Sequence, residues 1–156
     1  MTIEDDIAFL ERIPTFALLG RPALRIVAMG AECRDLRTGD VLFQAGEKAD
    51  CGYVVQSGSL LLRPYGSEDG AGELVVGAGS LVGELSLLIE TARPATATTL
   101  EPTAVMRVSR SLFLKMLEGF PDAARRLRDH IGARAEQITQ DIAGVRGTLA
   151  PPKARR

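Results

Sequence analysis

One histidine, two cysteines and almost no net charge are the first constraints this chain sets. A metal-dependent enzyme housed in a β-barrel needs several His and carboxylate ligands converging on one point, and His130 stands alone in a polar-rich C-terminal segment. A Ser-His-Asp triad fails for the same reason, because nothing places His130 beside a nucleophile elbow. The chain is therefore expected not to be an enzyme, and to carry no catalytic residue, metal or cofactor. Cys33 and Cys51 lack the paired spacing of a zinc site, and two reduced thiols suit a cytoplasmic protein. Lys and Arg number 19 against 20 Asp and Glu, a net charge of -1, which excludes wholesale attraction to nucleic acid or to an acidic membrane surface. No apolar run approaches the roughly 20 residues of a membrane span. The acidic start, Glu4, Asp5 and Asp6, is not that of a secretory signal. Neither direct DNA binding nor a membrane is expected.

What the chain does have is glycine. Its 16 glycines punctuate short apolar or alternating runs: Cys33 to Leu36, Val41 to Gln44, Gly52 to Gln56, Leu60 to Arg63, Glu73 to Val76, Ala95 to Leu100 and Thr103 to Val108. Gly39-Asp40, Gly46-Glu47, Ser57-Gly58 and the segment 66–72 read as the turns between them. Many short strands with tight turns predict a sandwich or barrel rather than βαβ units. Helices are expected on both sides. Thr2 can cap one with Ile3, Ile7 and Leu10 on a face, broken at Pro14, and a second starts at Arg21-Pro22, buries Leu24, Val27 and Ala28, and ends near Gly30. Ser109 or Ser111 can cap a third that carries Leu112, Leu114, Met116 and Leu117 to Gly119. Pro121 opens the longest, with Ala124, Leu127, Ile131, Ala135, Ile138, Ile142 and Val145 at steps of three or four. That seam packs on its own barrel, lids a pocket, or pairs with a second copy. Gly132 and Gly144 weaken it as a long coiled coil. At 156 residues the whole is one domain over 1–148: helices 1–30, a β-barrel 31–109 and helices 110–148, with a disordered tail 149–156.

The stretch that organises the rest runs from Val82 to Ala97, VGELSLLIETARPATA. Gly83 lets a backbone approach a ligand closely. Leu85 to Ile89 suit one short helical turn, whose first N–H groups lack intrahelical partners and make an anion site. Arg93 can fold back and offer its planar fork of donors to the same anion. Glu84 has the wrong sign for a phosphate but suits a sugar hydroxyl beside one. Phosphate donors, an arginine and a ribose acceptor in one segment describe a nucleotide pocket.

These residues resemble the phosphate-binding cassette of the cyclic-nucleotide-binding domain family, to which the sensor domains of the catabolite activator protein and of the regulatory subunit of protein kinase A belong. The matching residues are Gly83-Glu84-Leu85-Ser86 and Arg93-Pro94-Ala95-Thr96. Gly39-Asp40-Val41-Leu42-Phe43, Gly46, Tyr53-Val54-Val55 and Ser57-Gly58 fall in the family's order before the cassette. The resemblance implies a mainly β fold with flanking α, a double-stranded β-helix or jelly-roll barrel between N-terminal and C-terminal helices. It implies that Arg93 pairs with the cyclic phosphate, Glu84 takes the ribose 2′-hydroxyl, and the Gly83, Leu85 and Ser86 backbone completes a cradle that Pro94 and Ala95 close. Pro94 departs from the family pattern. It has neither N–H nor hydroxyl, which removes about one hydrogen bond, of order 0.5–1.5 kcal/mol. It also removes one common reason for a guanine preference.

The expected ligand is thus cAMP rather than cGMP, bound by a stand-alone sensor that signals through its C-terminal helices to a protein partner or a homodimer. The sensing half of such regulators is legible in the chain and an effector half is not, so the output falls on another chain or the chain is a fragment. The alternative is a degenerate member that serves as a protein-interaction module without binding nucleotide, motivated by Pro94.

Overall fold

The computed structural model describes residues 2–66 and 70–131. The chain opens on α1 (Ile3–Leu10), and Thr2 caps it as its sequence predicts: the Thr2 hydroxyl accepts from the Asp5 N–H at 3.2 Å, and the Asp5 carboxylate accepts from the Thr2 N–H at 3.0 Å. Those bonds hold the Asp5 carboxyl below its ordinary range. Ile7 and Leu10 are fully buried. Pro14 does more than break this helix. With its φ already set for the first helical position, it starts the four-residue α2 (Pro14–Ala17), which buries Thr15 and Phe16. The next helix, α3 (Arg21–Gly30), buries Ala23, Leu24, Val27 and Ala28, as its periodicity requires.

The barrel is built from two antiparallel four-stranded sheets. One has the order β1 (Glu32–Leu36), β10 (Thr103–Ser109), β4 (Cys51–Ser57), β7 (Leu81–Val82); the other has β2 (Val41–Phe43), β9 (Ala95–Thr99), β5 (Ser59–Pro64), β6 (Leu74–Gly77). A small ribbon of β3 (Lys48–Ala49) and β8 (Thr91–Ala92) joins them at one end. All the long expected strands form, and the arrangement is a jelly roll with flanking helices. The two-residue strands β3, β7 and β8 were not foreseen, because two residues carry no period. Gly58 makes the turn from β4 to β5 at φ 87°, where a Cβ would strike the Thr103 hydroxyl at 2.4 Å. Only glycine fits there.

Strand alternation divides the core in two. On β4, Cys51, Tyr53 and Val55 face the barrel interior with Phe43, Leu60, Ala97 and Val105. Val54 points the other way, with Met106 and Val108 of β10, into a layer shared with the helices. Phe16 and Phe113 meet in that layer, ring centroids 6.1 Å apart.

The helix α4 (Arg110–Gly119) is capped by Ser109, whose hydroxyl accepts from the Leu112 N–H at 3.1 Å. Its buried residues are Phe113 and Met116, with Leu112 and Leu117 only partly covered, and Leu114 is exposed rather than part of the core. Phe113, buried where Leu114 was expected, sits one position from it and therefore about 100° round the helix. The last described helix, α5 (residues 121–131), buries Ala123 and Leu127, and Ile131 packs at its edge. His130 in α5 is half-buried. The continuation of the seam through Ala135, Ile138, Ile142 and Val145, and the tail 149–156, lie outside the described residues. Among the described residues no helix is long and apolar enough to cross a membrane.

Candidate functional site

The cassette stretch leaves the barrel at the end of β7. Gly83 takes φ 85°, a left-handed conformation that turns the chain sharply toward a 3-10 turn at Leu85–Leu87. The Ser86 N–H donates to the Gly83 carbonyl at 3.0 Å and the Leu87 N–H to the Glu84 carbonyl at 3.1 Å, closing that turn on itself. Leu87 is fully buried and anchors the turn in the helical layer. The Ser86 and Thr91 hydroxyls meet at 2.8 Å, so the side chain of Ser86 points back to β8.

Just past β8, Arg93 is locked to the barrel rim by its backbone: its N–H donates to Glu47 O and its carbonyl accepts from Gly46 N, both at 2.8 Å. The side chain turns inward and is only 5% exposed. Nη2 donates to the Cys51 carbonyl at 3.0 Å and lies 3.3 Å from Cys51 Sγ. The guanidinium carbon sits 4.2 Å from the centroid of the Phe43 ring and 5.5 Å from that of Tyr53, and the two rings are themselves stacked at 5.9 Å. The other end of the fork, Nη1, lies over Gly83, where a Cβ would come within 2.6 Å of it.

Electrostatically this is an unbalanced site. Among the described residues no carboxylate lies within ion-pair distance of Arg93. Asp50, the neighbour of Cys51, pairs instead with Arg107 at 3.3 Å. Removing a guanidinium from water costs several kcal/mol. A carbonyl, a thiol and two aromatic faces return part of that, about 2 kcal/mol for a desolvated cation over a ring. An anion at Nη1 would return more. Burial, and after it the hydrogen bond with Cys51, pushes the Tyr53 phenol above its ordinary value, so its ring stays neutral beside the cation.

Glu84 does not point into empty space. Its Oε2 accepts a hydrogen bond from the hydroxyl of Thr15 in α2. Leu85 is exposed on the outer side of the turn. Pro94 is exposed and its carbonyl accepts from the Tyr65 N–H at 3.1 Å; Ala95 starts β9 opposite Pro64 of β5. The structure thus gathers Gly83, Glu84, Leu85, Ser86 and Arg93 around one turn, with Pro94 and Ala95 leading away from it.

The residues that hold this set in place carry no local signal in the sequence. Phe43, Cys51 and Tyr53 come from strands 40 to 50 positions before Arg93, and in the sequence they are only barrel residues. Arg110, the first residue of α4, reaches beneath the turn: its Nη1 donates to Ile89 O at 3.0 Å, Ala49 O at 3.1 Å and Ser86 O at 3.4 Å. Its own N–H donates to Asp50 O at 2.8 Å. Arg126 of α5 ties the C-terminal layer to the N-terminal one, with Nε donating to Leu18 O at 2.7 Å.

A jelly-roll barrel of this kind, with a glycine-led turn facing an inward arginine, is the architecture of a regulatory nucleotide-binding module. The family model of the cyclic nucleotide-binding domain matches residues 33–120, and the chain belongs to that family. It is similar to a solved cyclic nucleotide-binding-like protein from Brucella abortus, with 37% identity over 73% of this chain and 98% of that one, at a TM-score of 0.64. It is also similar to the regulatory domain of Toxoplasma gondii PKA solved with cAMP, with 27% identity over 73% of this chain and 44% of that one, at a TM-score of 0.65. Among longer proteins, Lysophospholipase NTE1 of Pyricularia oryzae is 30% identical over 124 residues, 76% of this chain. The chain spans 8% of that relative's length.

Proposed function

We propose that this domain binds a cyclic nucleotide, cAMP in preference to cGMP, as a non-enzymatic sensor in the cytoplasm. The observation that carries the reading is Arg93: a nearly buried cation without a carboxylate partner among the described residues, one nitrogen of which lies over Gly83 at the start of the cassette turn. In this reading Nη2 stays on Cys51 while Nη1 receives the cyclic phosphate. On the same reading, backbone N–H groups at Gly83 and Leu85 serve the phosphate oxygens, and Ser86 adds less because its N–H already serves the Gly83 carbonyl. Glu84 accepts the ribose 2′-hydroxyl. Ala95 closes the rim, and Pro94 gives the phosphate no N–H. The lack of a hydroxyl at Pro94 and the likeness to a domain solved with cAMP support adenine over guanine.

Occupancy leaves the site through the C-terminal helices. Arg110 of α4 holds the carbonyls of Ser86 and Ile89, so a turn ordered by phosphate moves against α4 and α5 and changes a surface offered to a protein partner or a second copy. The output needs no contact with DNA and no membrane. Isothermal titration with cAMP and then cGMP at fixed salt tests this directly. Micromolar or tighter binding that is lost in Arg93→Ala and weakened in Glu84→Ala is the expected result. Unchanged affinity in both variants overturns the assignment.

A second reading, an interaction module that no longer takes nucleotide, draws on Pro94 and on how completely Cys51 and the two rings already hold Arg93. A partner complex or dimer indifferent to both nucleotides, together with no heat in the titration, favours it.

A further inference from the structure

The Glu84 carboxylate is held by a residue from the far end of the chain. Thr15 sits in α2, 69 positions earlier, and donates its hydroxyl to Glu84 Oε2. Thr15 is 6% exposed and shares its helix with the fully buried Phe16, which packs on Phe113 of α4. The hydroxyl is therefore fixed in position by the helical layer rather than carried on a free loop. Building on the cyclic-nucleotide reading above, we infer that Thr15 is a positioning residue for ribose recognition: it sets the direction in which Glu84 offers its carboxylate to the 2′-hydroxyl.

The chemistry favours orientation over competition. A threonine hydroxyl has one proton to give, whereas an ionised carboxylate has about four lone-pair sites on its two oxygens. A bond from Thr15 to Oε2 fixes the plane of the group and leaves it able to accept again from a sugar hydroxyl. The backbone of Glu84 does not set that direction. Its own φ and ψ of -54° and -45° are helical and ordinary, and it lies at the open start of a three-residue turn. A glutamate side chain has three torsions to settle, and settling them at the moment of binding costs affinity. Thr15 meets that cost before the ligand arrives. Glu84 supplies charge and Thr15 supplies aim.

The test is the ratio of affinities for cAMP and 2′-deoxy-cAMP, measured by isothermal titration on the full chain. For the unmodified protein the ratio is expected to favour the ribonucleotide by about tenfold or more, the scale of a hydrogen bond to a charged group. Thr15→Val, nearly the same size but without the hydroxyl, is expected to bring the ratio to within about threefold while leaving the 2′-deoxy-cAMP affinity unchanged. Thr15→Ser restores the ratio. Binding of 2′-deoxy-cAMP doubles as the check that each variant is folded. A ratio in Thr15→Val equal to that of the unmodified protein overturns the inference, as does an equal loss for both ligands, which would make Thr15 a packing residue only. If the unmodified protein binds both ligands equally well, Glu84 does not read the ribose and the inference falls while the nucleotide reading stands. If it binds neither, the nucleotide reading itself falls and takes the role of Thr15 with it.

Discussion

Gly83 and Arg93 occupy the same small volume: a methyl group on the one would lie 2.6 Å from Nη1 of the other. Ten positions apart in sequence, they form a single unit in which the absence of a side chain at 83 makes room for the side chain of 93. Gly83→Ala is expected to suffer twice. The left-handed φ of 85° costs an alanine about 1–3 kcal/mol of stability. The displaced guanidinium lowers cyclic-nucleotide affinity by at least about tenfold. Denaturant unfolding and calorimetry on the same preparation read the two effects separately, and an alanine variant with unaltered affinity would show that the contact is unimportant.

Arg93 should separate stability from binding in the opposite sense. Replacing a buried, unpaired charge with an apolar chain of similar length is often neutral or stabilising. Arg93→Met should therefore unfold at an equal or higher denaturant concentration than the parent, yet bind no cyclic nucleotide. A drop in stability of more than about 2 kcal/mol would mean that the Cys51 bonds and the Phe43 and Tyr53 faces outweigh the desolvation of the guanidinium.

Tyr53 sets a limit at high pH. Its phenol is raised above the ordinary value near 10, first by burial and then by the Cys51 hydrogen bond. The folded state thus keeps this proton longer than the unfolded state does. Its contribution is whole below about pH 10 and is lost as pH rises toward the folded value. Urea midpoints measured from about pH 8 to 11 should fall more steeply for the parent than for Tyr53→Phe. Parallel curves would assign the alkaline loss to other groups.

The two thiols should differ sharply. Cys33 is exposed, but partial burial and the nearby Asp6 and Asp35 raise its thiol above the ordinary range, so alkylation should be slow at neutral pH and quicken as pH rises. Cys51 is 2% exposed and should react on the order of 100-fold more slowly, waiting on opening of the barrel. Mass spectrometry after timed iodoacetamide treatment distinguishes them, and similar rates would show that the barrel opens far more readily than its packing implies.

The barrel was legible because its turns are local. Gly39, Gly46 and Gly58 end one run and begin the next, and each does so within a few residues. The grouping of Gly83, Glu84 and Arg93 around one turn was legible for the same reason, since they fall inside one window. What the sequence hid is what depends on distant pairing. Nothing near Thr15 announces a bond to Glu84, and the bed of Phe43, Cys51 and Tyr53 under Arg93 exists only once β2, β4 and β8, strands of three different sheets, are folded together. Helix α2 was hidden differently: a proline that stops one helix is also well suited to begin another, and four residues are too few to display a period. At Leu114 and Phe113 the pattern was read one step out of phase, which on a helix exchanges core for solvent.

The placement of Thr15 bears on how the motif could be moved between proteins. A graft of Val82 to Ala97 onto another barrel would carry the turn and its arginine but leave behind the hydroxyl that bonds Glu84, the rings beneath Arg93 and the guanidinium of Arg110 that braces the turn. The smallest portable unit is discontinuous, drawn from the N-terminal helices, the barrel and the start of the helix that follows it. Anyone designing a new sensor from this cassette would have to transplant its scaffolding along with it.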